Sequence, residues 1–293
     1  MGLIHAVVYG IIQGISEWLP ISSSAHLQIA KTFLDPQIPT NTFTAFVAVI
    51  QLGTTAAVIV YFAKDLGAAF MAWARSLQGK GRGTTEARIG WGVFLGTLPV
   101  FILPFFKKQI ESEAFRQIGL IATLMIAFGA VMFVADRWGS KKRSMNQVQP
   151  VDGLGIGFFQ ILAAIPGVSR SGSTITGALF LGLDMVTAAR FSFLMSVPAV
   201  AGAGLYELWE ARKDILGAEL SATIVATLVS LIVGYATIAW LLRYLQKNGL
   251  AVFVGYRFLL GAILLAAIYT GHVPQQAQDV QTSLPAHSLV AQK

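Results

Sequence analysis

Five stretches of this chain, residues 42–62, 90–106, 117–135, 191–206 and 220–242, run for 16 to 23 residues without a charged side chain. A sixth, 252–270, holds only Arg257, near enough to one end for its guanidinium to snorkel toward water. About 20 apolar residues in a helix cross the hydrocarbon core, so six transmembrane helices are expected. Composition agrees: 55% of the 293 residues are apolar and 12% charged, where a soluble domain carries about 25% charged residues. Such a chain is neither a soluble globule nor a disordered one. With no cysteine, disulfides, iron–sulfur clusters, thiolate zinc sites and cysteine nucleophiles are excluded. The formal charge of +7 reads as basic loops beside anionic lipid rather than as a nucleic-acid surface. No Lys or Arg precedes Lys31, so the basic start of a cleaved signal peptide is not seen.

Two further segments are apolar but broken. In 1–34 the apolar run ends at Gln13 and resumes only after Pro20 and three serines. In 153–183 the run stops at Pro166-Gly167 and a second short one follows Ser173 and Thr174. Each half-run is too short to span, and a matched pair of interrupted segments points to a binding site in a membrane protein. An offset of 147 residues carries Gly10 to Gly157, Gln13 to Gln160, Ser22 to Ser169 and Ser24 to Ser171. The expected fold is therefore an all-α polytopic membrane protein: six transmembrane helices plus two re-entrant helix hairpins in an inverted-topology repeat. Residues 1–150 form the first repeat, 151–270 the second, and 271–293 a polar tail expected to be disordered. The strings Gly10–Gly14 and Gly92–Gly96 read as close helix packing within the chain more than as a dimer seam.

The loops 63–89, 136–152 and 243–251 carry eleven Lys and Arg, whereas 107–116 and 207–219 carry five. The first set is expected to be cytoplasmic, which puts both termini outside and lets the two hairpins dip in from opposite faces.

At apolar depth the ionisable groups that stand out are Glu17, His26 and Arg170, all in the broken segments. Such groups cost about 2.5–3.5 kcal/mol each to bury in lipid and are functional candidates by default. A bland reading remains, in which Glu17 and Arg170 only pair with each other. In QGISEWLPISSSAH (13–26), Gln13 and Glu17 share a helix face. Pro20 ends that half-helix, Ser22, Ser23 or Ser24 can cap the next, and His26 follows three residues after Ser23. Hydroxyl, imidazole and carboxylate form a nucleophile–base–orienter set, although a serine cap with a satisfied histidine would look the same. In PGVSRSGSTITG (166–177), Gly167 breaks the helix, while Ser169, Ser171, Ser173, Thr174 and Arg170 gather donors at a helix start suited to phosphate. A Ser/Gly-rich kink is the alternative. Neither a P-loop nor a GxSxG elbow is present.

These two clusters resemble the paired signatures of the bacterial undecaprenyl-diphosphate phosphatase, or bacitracin-resistance, family. The motifs are Glu/Gln-x-x-x-Glu, here Gln13 to Glu17, and Pro-Gly-x-Ser-Arg-Ser-x-x-Thr, here Pro166 to Thr174. The likeness runs from residue 1 to about 270 and includes FSFLMSVPA at 191–199. It implies a multi-pass protein of the bacterial inner membrane with its active site facing the periplasm. It also implies hydrolysis of a prenyl diphosphate lipid to the monophosphate, recycling the carrier for peptidoglycan synthesis. Glu17, Ser23, His26 and Arg170 are carried over as catalytic, and Gln13, Ser22, Ser24, Gly167, Ser169, Ser171, Ser173 and Thr174 as substrate-binding. Glu17 and Gln13 would hold a divalent cation, Mg²⁺ or Ca²⁺; Gln13 stands where the commoner form is acidic. The expected partners are that lipid and the membrane, with a homodimer admitted and nucleic acid excluded. Ser23 would attack phosphorus with His26 moving the proton, or Glu17 would activate water. A transporter or flippase of prenyl phosphate or a small anion is the competing class.

Overall fold

The computed structural model describes residues 1–35, 37–106, 110, 112–210 and 220–273. The charges expected on loop 207–219 and nearly all of the polar tail lie outside the described residues, as do Lys107 and Lys108. The described residues form helices joined by turns: α1 (Leu3–Ser16), α2 (Ser23–Leu34), α3 (Thr40–Tyr61), α4 (Ala63–Leu77), α5 (Thr85–Thr97), α6 (Ile118–Trp138), α7 (Pro150–Leu162), α8 (Arg170–Phe180), α9 (Met185–Glu210), α10 (Leu220–Leu245) and α11 (Ala251–Tyr269). Among the described residues six helical stretches are long and apolar enough to cross a membrane, and each contains or overlaps one of the six expected windows. The second, Thr85–Phe106, leaves α-geometry after Thr97 and finishes as a 3₁₀ stretch, where Pro99 and Pro104 withhold backbone donors.

The 63–89 connection, expected as a loop, contains α4. Leu66, Ala69, Phe70 and Trp73 recur at helical spacing and form an apolar stripe, while Lys64, Asp65 and Arg75 disqualify the segment as an uncharged run. The stripe packs on α5, with the Trp73 ring 5.6 Å from Phe94 and 6.1 Å from Trp91.

Both interrupted segments are helix–break–helix units. The four half-helices hold 14, 12, 13 and 11 residues, about 17–21 Å each against a hydrocarbon core of about 30 Å. Their breaks share an uncommon backbone. Ser22 and Ser169, the residues before α2 and α8, both have φ of 78°, a region that non-glycine residues seldom occupy. In each unit that serine's Oγ lies 3.2 Å from the hydroxyl two residues on, Ser24 or Ser171. Gly167, at φ 95°, is required: a Cβ there would meet the Ile121 carbonyl oxygen at 2.7 Å.

Each unit's first helix lies on a spanning helix. Helix α1 packs along α10 and α7 along α5. Gly153 and Gly157 abut the backbones of Gly92 and Gly96, and Gly10 and Gly14 abut α10 at Ala226 and Val233. Both GxxxG strings therefore serve contacts within the chain. Elsewhere α11 packs on α6 and α9 on α3. The largest buried cluster runs under both breaks and includes Trp18, Ile156, Ile175, Phe191 and Phe193.

Arg257 departs from expectation. It does not snorkel; it is fully buried and bonded to main-chain carbonyls. Nε donates to Met125 O at 3.0 Å, Nη1 to Pro20 O at 3.3 Å and Val168 O at 3.1 Å, and Nη2 to Gly167 O at 2.7 Å. Broken turns leave carbonyls without helical partners, and a guanidinium carries five N–H groups to meet them.

Candidate active site

The site is centred on Glu17. Its side chain is 4% exposed, just beyond the last turn of α1, and its carboxylate accepts four hydrogen bonds. Gln13 Nε2, one helical turn earlier, donates to Oε2 at 3.0 Å. Ser23 Oγ, at the first position of α2, donates to the same oxygen at 2.7 Å. Gln51 Nε2 on α3 donates to Oε1 at 3.0 Å, and Arg170 Nη2, at the first position of α8, donates there at 2.7 Å. Side chains from both breaks thus meet on one carboxylate. The Arg170–Glu17 bond pairs a guanidinium with a carboxylate, the stronger kind of hydrogen bond.

That contact is end-on through one nitrogen. Arg170 Nε and Nη1 are buried with no protein acceptor among the described residues, so three N–H vectors of the guanidinium remain free for an anion. The guanidinium also lies over Trp18, 5.0 Å from its ring, and Trp18 is braced edge-on by Phe193 at 4.9 Å. This gives FSFLMSVPA a physical role: Phe193 supports the aromatic shelf, and Ser192 hydrogen-bonds Thr174 of α8.

The hydroxyls of the second break are placed differently from the expectation of substrate donors. Ser169 Oγ accepts from Gly172 N at 3.1 Å as an N-cap, and Ser171 Oγ donates to Leu19 O at 3.0 Å. Ser173 and Thr174 Oγ donate to Arg170 O at 2.9 and 2.8 Å. All four residues are buried, so the second break presents its cation while its hydroxyls bond the helix start and, through Ser171, the first break. In the first break Ser22 is buried, Ser23 half-buried and Ser24 exposed.

Ser23 and His26 do not hydrogen-bond each other in this structure. Ser23 reaches Glu17, whereas His26 Nδ1 lies 2.7 Å from Ser22 O and its Nε2 2.6 Å from Tyr256 Oη. With Nδ1–H donating to the carbonyl, Nε2 accepts from the tyrosine. The reason is the φ of Ser22: the turn points the first α2 side chain back at α1, while His26, nearly a turn later, faces α11.

For a divalent cation, the relevant observation is Gln13 Oε1, buried without a partner. Its amide orientation is fixed because Nε2 must donate to Glu17, so a hard oxygen ligand faces away beside the carboxylate. One carboxylate, one amide oxygen and the oxygens of a phosphate fit Mg²⁺, which takes few protein ligands. Among the described residues no group of three His, Asp or Glu forms an all-protein metal site.

Gln51, Trp18, Tyr256 and Arg257 were not found as site residues from the sequence. Gln51 could have been: it is the one amide inside the 42–62 window.

An acid bonded to a hydroxyl, and a cation with free donors, held between two broken helices in a bundle of six apolar ones, define a class: a multi-pass membrane protein with a site for an anionic group. The particular family follows from comparison. A family model described as bacitracin resistance protein BacA matches residues 6–263, and the chain belongs to that family. It is similar to proteins named undecaprenyl-diphosphatase in Mycobacterium sp. strain KMS (42% identical, covering 93% of this chain and 99% of the relative), Thermobifida fusca strain YX (43%, 92% and 92%) and Chlorobaculum tepidum (43%, 93% and 99%).

Proposed function

We propose that this protein hydrolyses undecaprenyl diphosphate to undecaprenyl phosphate and inorganic phosphate. That activity returns the lipid carrier to peptidoglycan synthesis and underlies bacitracin resistance. The observation that carries the reading is the Glu17 carboxylate, which holds the Ser23 hydroxyl at 2.7 Å and Arg170 at 2.7 Å while leaving Arg170 Nε and Nη1 free. Arg170 takes the terminal phosphoryl oxygens through those free donors, where charge accumulates during transfer. Glu17 removes the Ser23 proton as Oγ bonds to phosphorus and the bridging P–O bond breaks, releasing prenyl monophosphate. Glu17 passes that proton to the departing prenyl phosphate, then takes one from the water that cleaves the phosphoserine and returns it to Ser23 Oγ as inorganic phosphate leaves. His26, tied to Ser22 and Tyr256, positions the turn that carries Ser23. Gln13 Oε1 and Glu17 would hold a divalent ion, which would supply charge neutralisation for the diphosphate. The family names and the donor set support this reading over transport.

The two halves, 1–150 and 151–270, are read as inverted repeats with re-entrant hairpins. The support is the shared φ of Ser22 and Ser169 and the reciprocal packing of α1 on α10 and α7 on α5. The loop-charge bias favours cytoplasmic loops 63–89, 136–152 and 243–251 with external termini, and the family likeness favours an inner-membrane protein with its site open to the periplasm. A reporter after Thr270 is then accessible from outside and one within 79–85 is not; the reverse pattern overturns this orientation. The activity itself is tested by phosphate release from prenyl diphosphates in detergent, with and without EDTA. Release that EDTA suppresses and Mg²⁺ restores is expected, and no release refutes the reading.

A further inference from the structure

We propose that Arg257 is a positioning residue for the reaction: by gripping the carbonyls of Pro20, Gly167 and Val168 it sets the distance between Ser23 and Arg170. The inference rests on the phosphatase reading above. Arg257 Nη1 alone bridges the two breaks, donating to Pro20 O and Val168 O, while Nη2 holds Gly167 O. Its Nε anchors the same guanidinium to α6 through Met125 O. The acceptors sit next to the chemistry. Pro20 lies three residues before Ser23, and Val168 two before Arg170.

The role follows from what else joins the breaks. Two other hydrogen bonds do so, Arg170 Nη2 to Glu17 Oε1 and Ser171 Oγ to Leu19 O. The first ends on the carboxylate that takes up a proton during the reaction, so it weakens whenever Glu17 is protonated. Arg257 touches neither group, and its bonds persist through that change. All four of its acceptors are carbonyls, so its function is geometric, and a point-like ammonium cannot reproduce it. Its sequence neighbour Tyr256 meets His26 at 2.6 Å, so one turn of α11 braces both the breaks and the histidine.

The test uses the purified full chain in detergent, with farnesyl diphosphate as substrate. Wild type, Arg257→Lys and Arg257→Gln are compared for kcat, KM and thermal unfolding. Arg170 remains present to bind phosphate, so KM is expected to stay within about threefold. A displacement of about 1 Å between nucleophile and cation lowers kcat by about 10²-fold at temperatures where the variants are fully folded. A folded Arg257→Lys enzyme with wild-type kcat overturns the proposal. So does a deficit that vanishes below the variant's unfolding transition, or failure of both variants to fold, since Arg257 would then serve the fold alone. If wild type releases no phosphate, it is the phosphatase reading that fails.

Discussion

At matched positions 147 residues apart, the first break has Ser23 where the second has Arg170, Glu17 where it has Ala164, and His26 where it has Ser173. The serines before α2 and α8 nevertheless share a φ of 78°, and each has its Oγ 3.2 Å from the hydroxyl two residues on. The same serine geometry thus starts two helices of complementary chemistry. The first break directs its hydroxyl to an acid; the second spends its hydroxyls on main-chain groups and extends a cation. An anion site needs both a rigid donor and a reactive group, and here each break supplies one.

The comparison can be broken at three places. Ser23→Ala removes the hydroxyl that the first break alone presents to Glu17, and turnover should fall by about 10⁴-fold or more, the scale of losing a covalent nucleophile. Folded mutant protein keeping a tenth of the wild-type rate would return Ser23 to a capping role. Arg170→Lys retains charge but loses the planar fork, and kcat should fall by about 10²-fold. Near-normal kcat would mean that Arg170 only neutralises Glu17. Ser169→Ala should act least on turnover, because its hydroxyl caps Gly172 N. Thermal unfolding should register about 1 kcal/mol of lost stability with kcat little changed. A large kcat defect there would make the two breaks chemically alike.

The spans were legible because uncharged runs of this length have one physical use, and the breaks because Pro20 and Pro166-Gly167 interrupt such runs. Helix α4 was missed for the same reason in reverse, since a charged amphipathic helix looks like a loop to a search for uncharged windows. The meeting of Glu17, Ser23 and Arg170 could be anticipated from cost: groups so expensive at apolar depth must find one another. Which atoms pair could not. The direction of Ser23 depends on the backbone angle of Ser22, and serine gives no local sign of adopting it. Gln51 escaped because it is uncharged. Arg257 was misjudged because a lone arginine near a helix end can reach for water or for carbonyls, and only the neighbouring breaks decide.

The ion pair between Glu17 and Arg170 joins residues 153 apart, and this bears on how the protein is made. Ribosomes add roughly 5–20 residues per second, so the acid leaves the exit tunnel some 8–30 s before its cation. During that interval only amides and a hydroxyl from the first half can attend the carboxylate. An unpaired charge favours the lipid–water boundary. The pair therefore forms only after α8 has been made, and the site is complete only once both halves have left the ribosome.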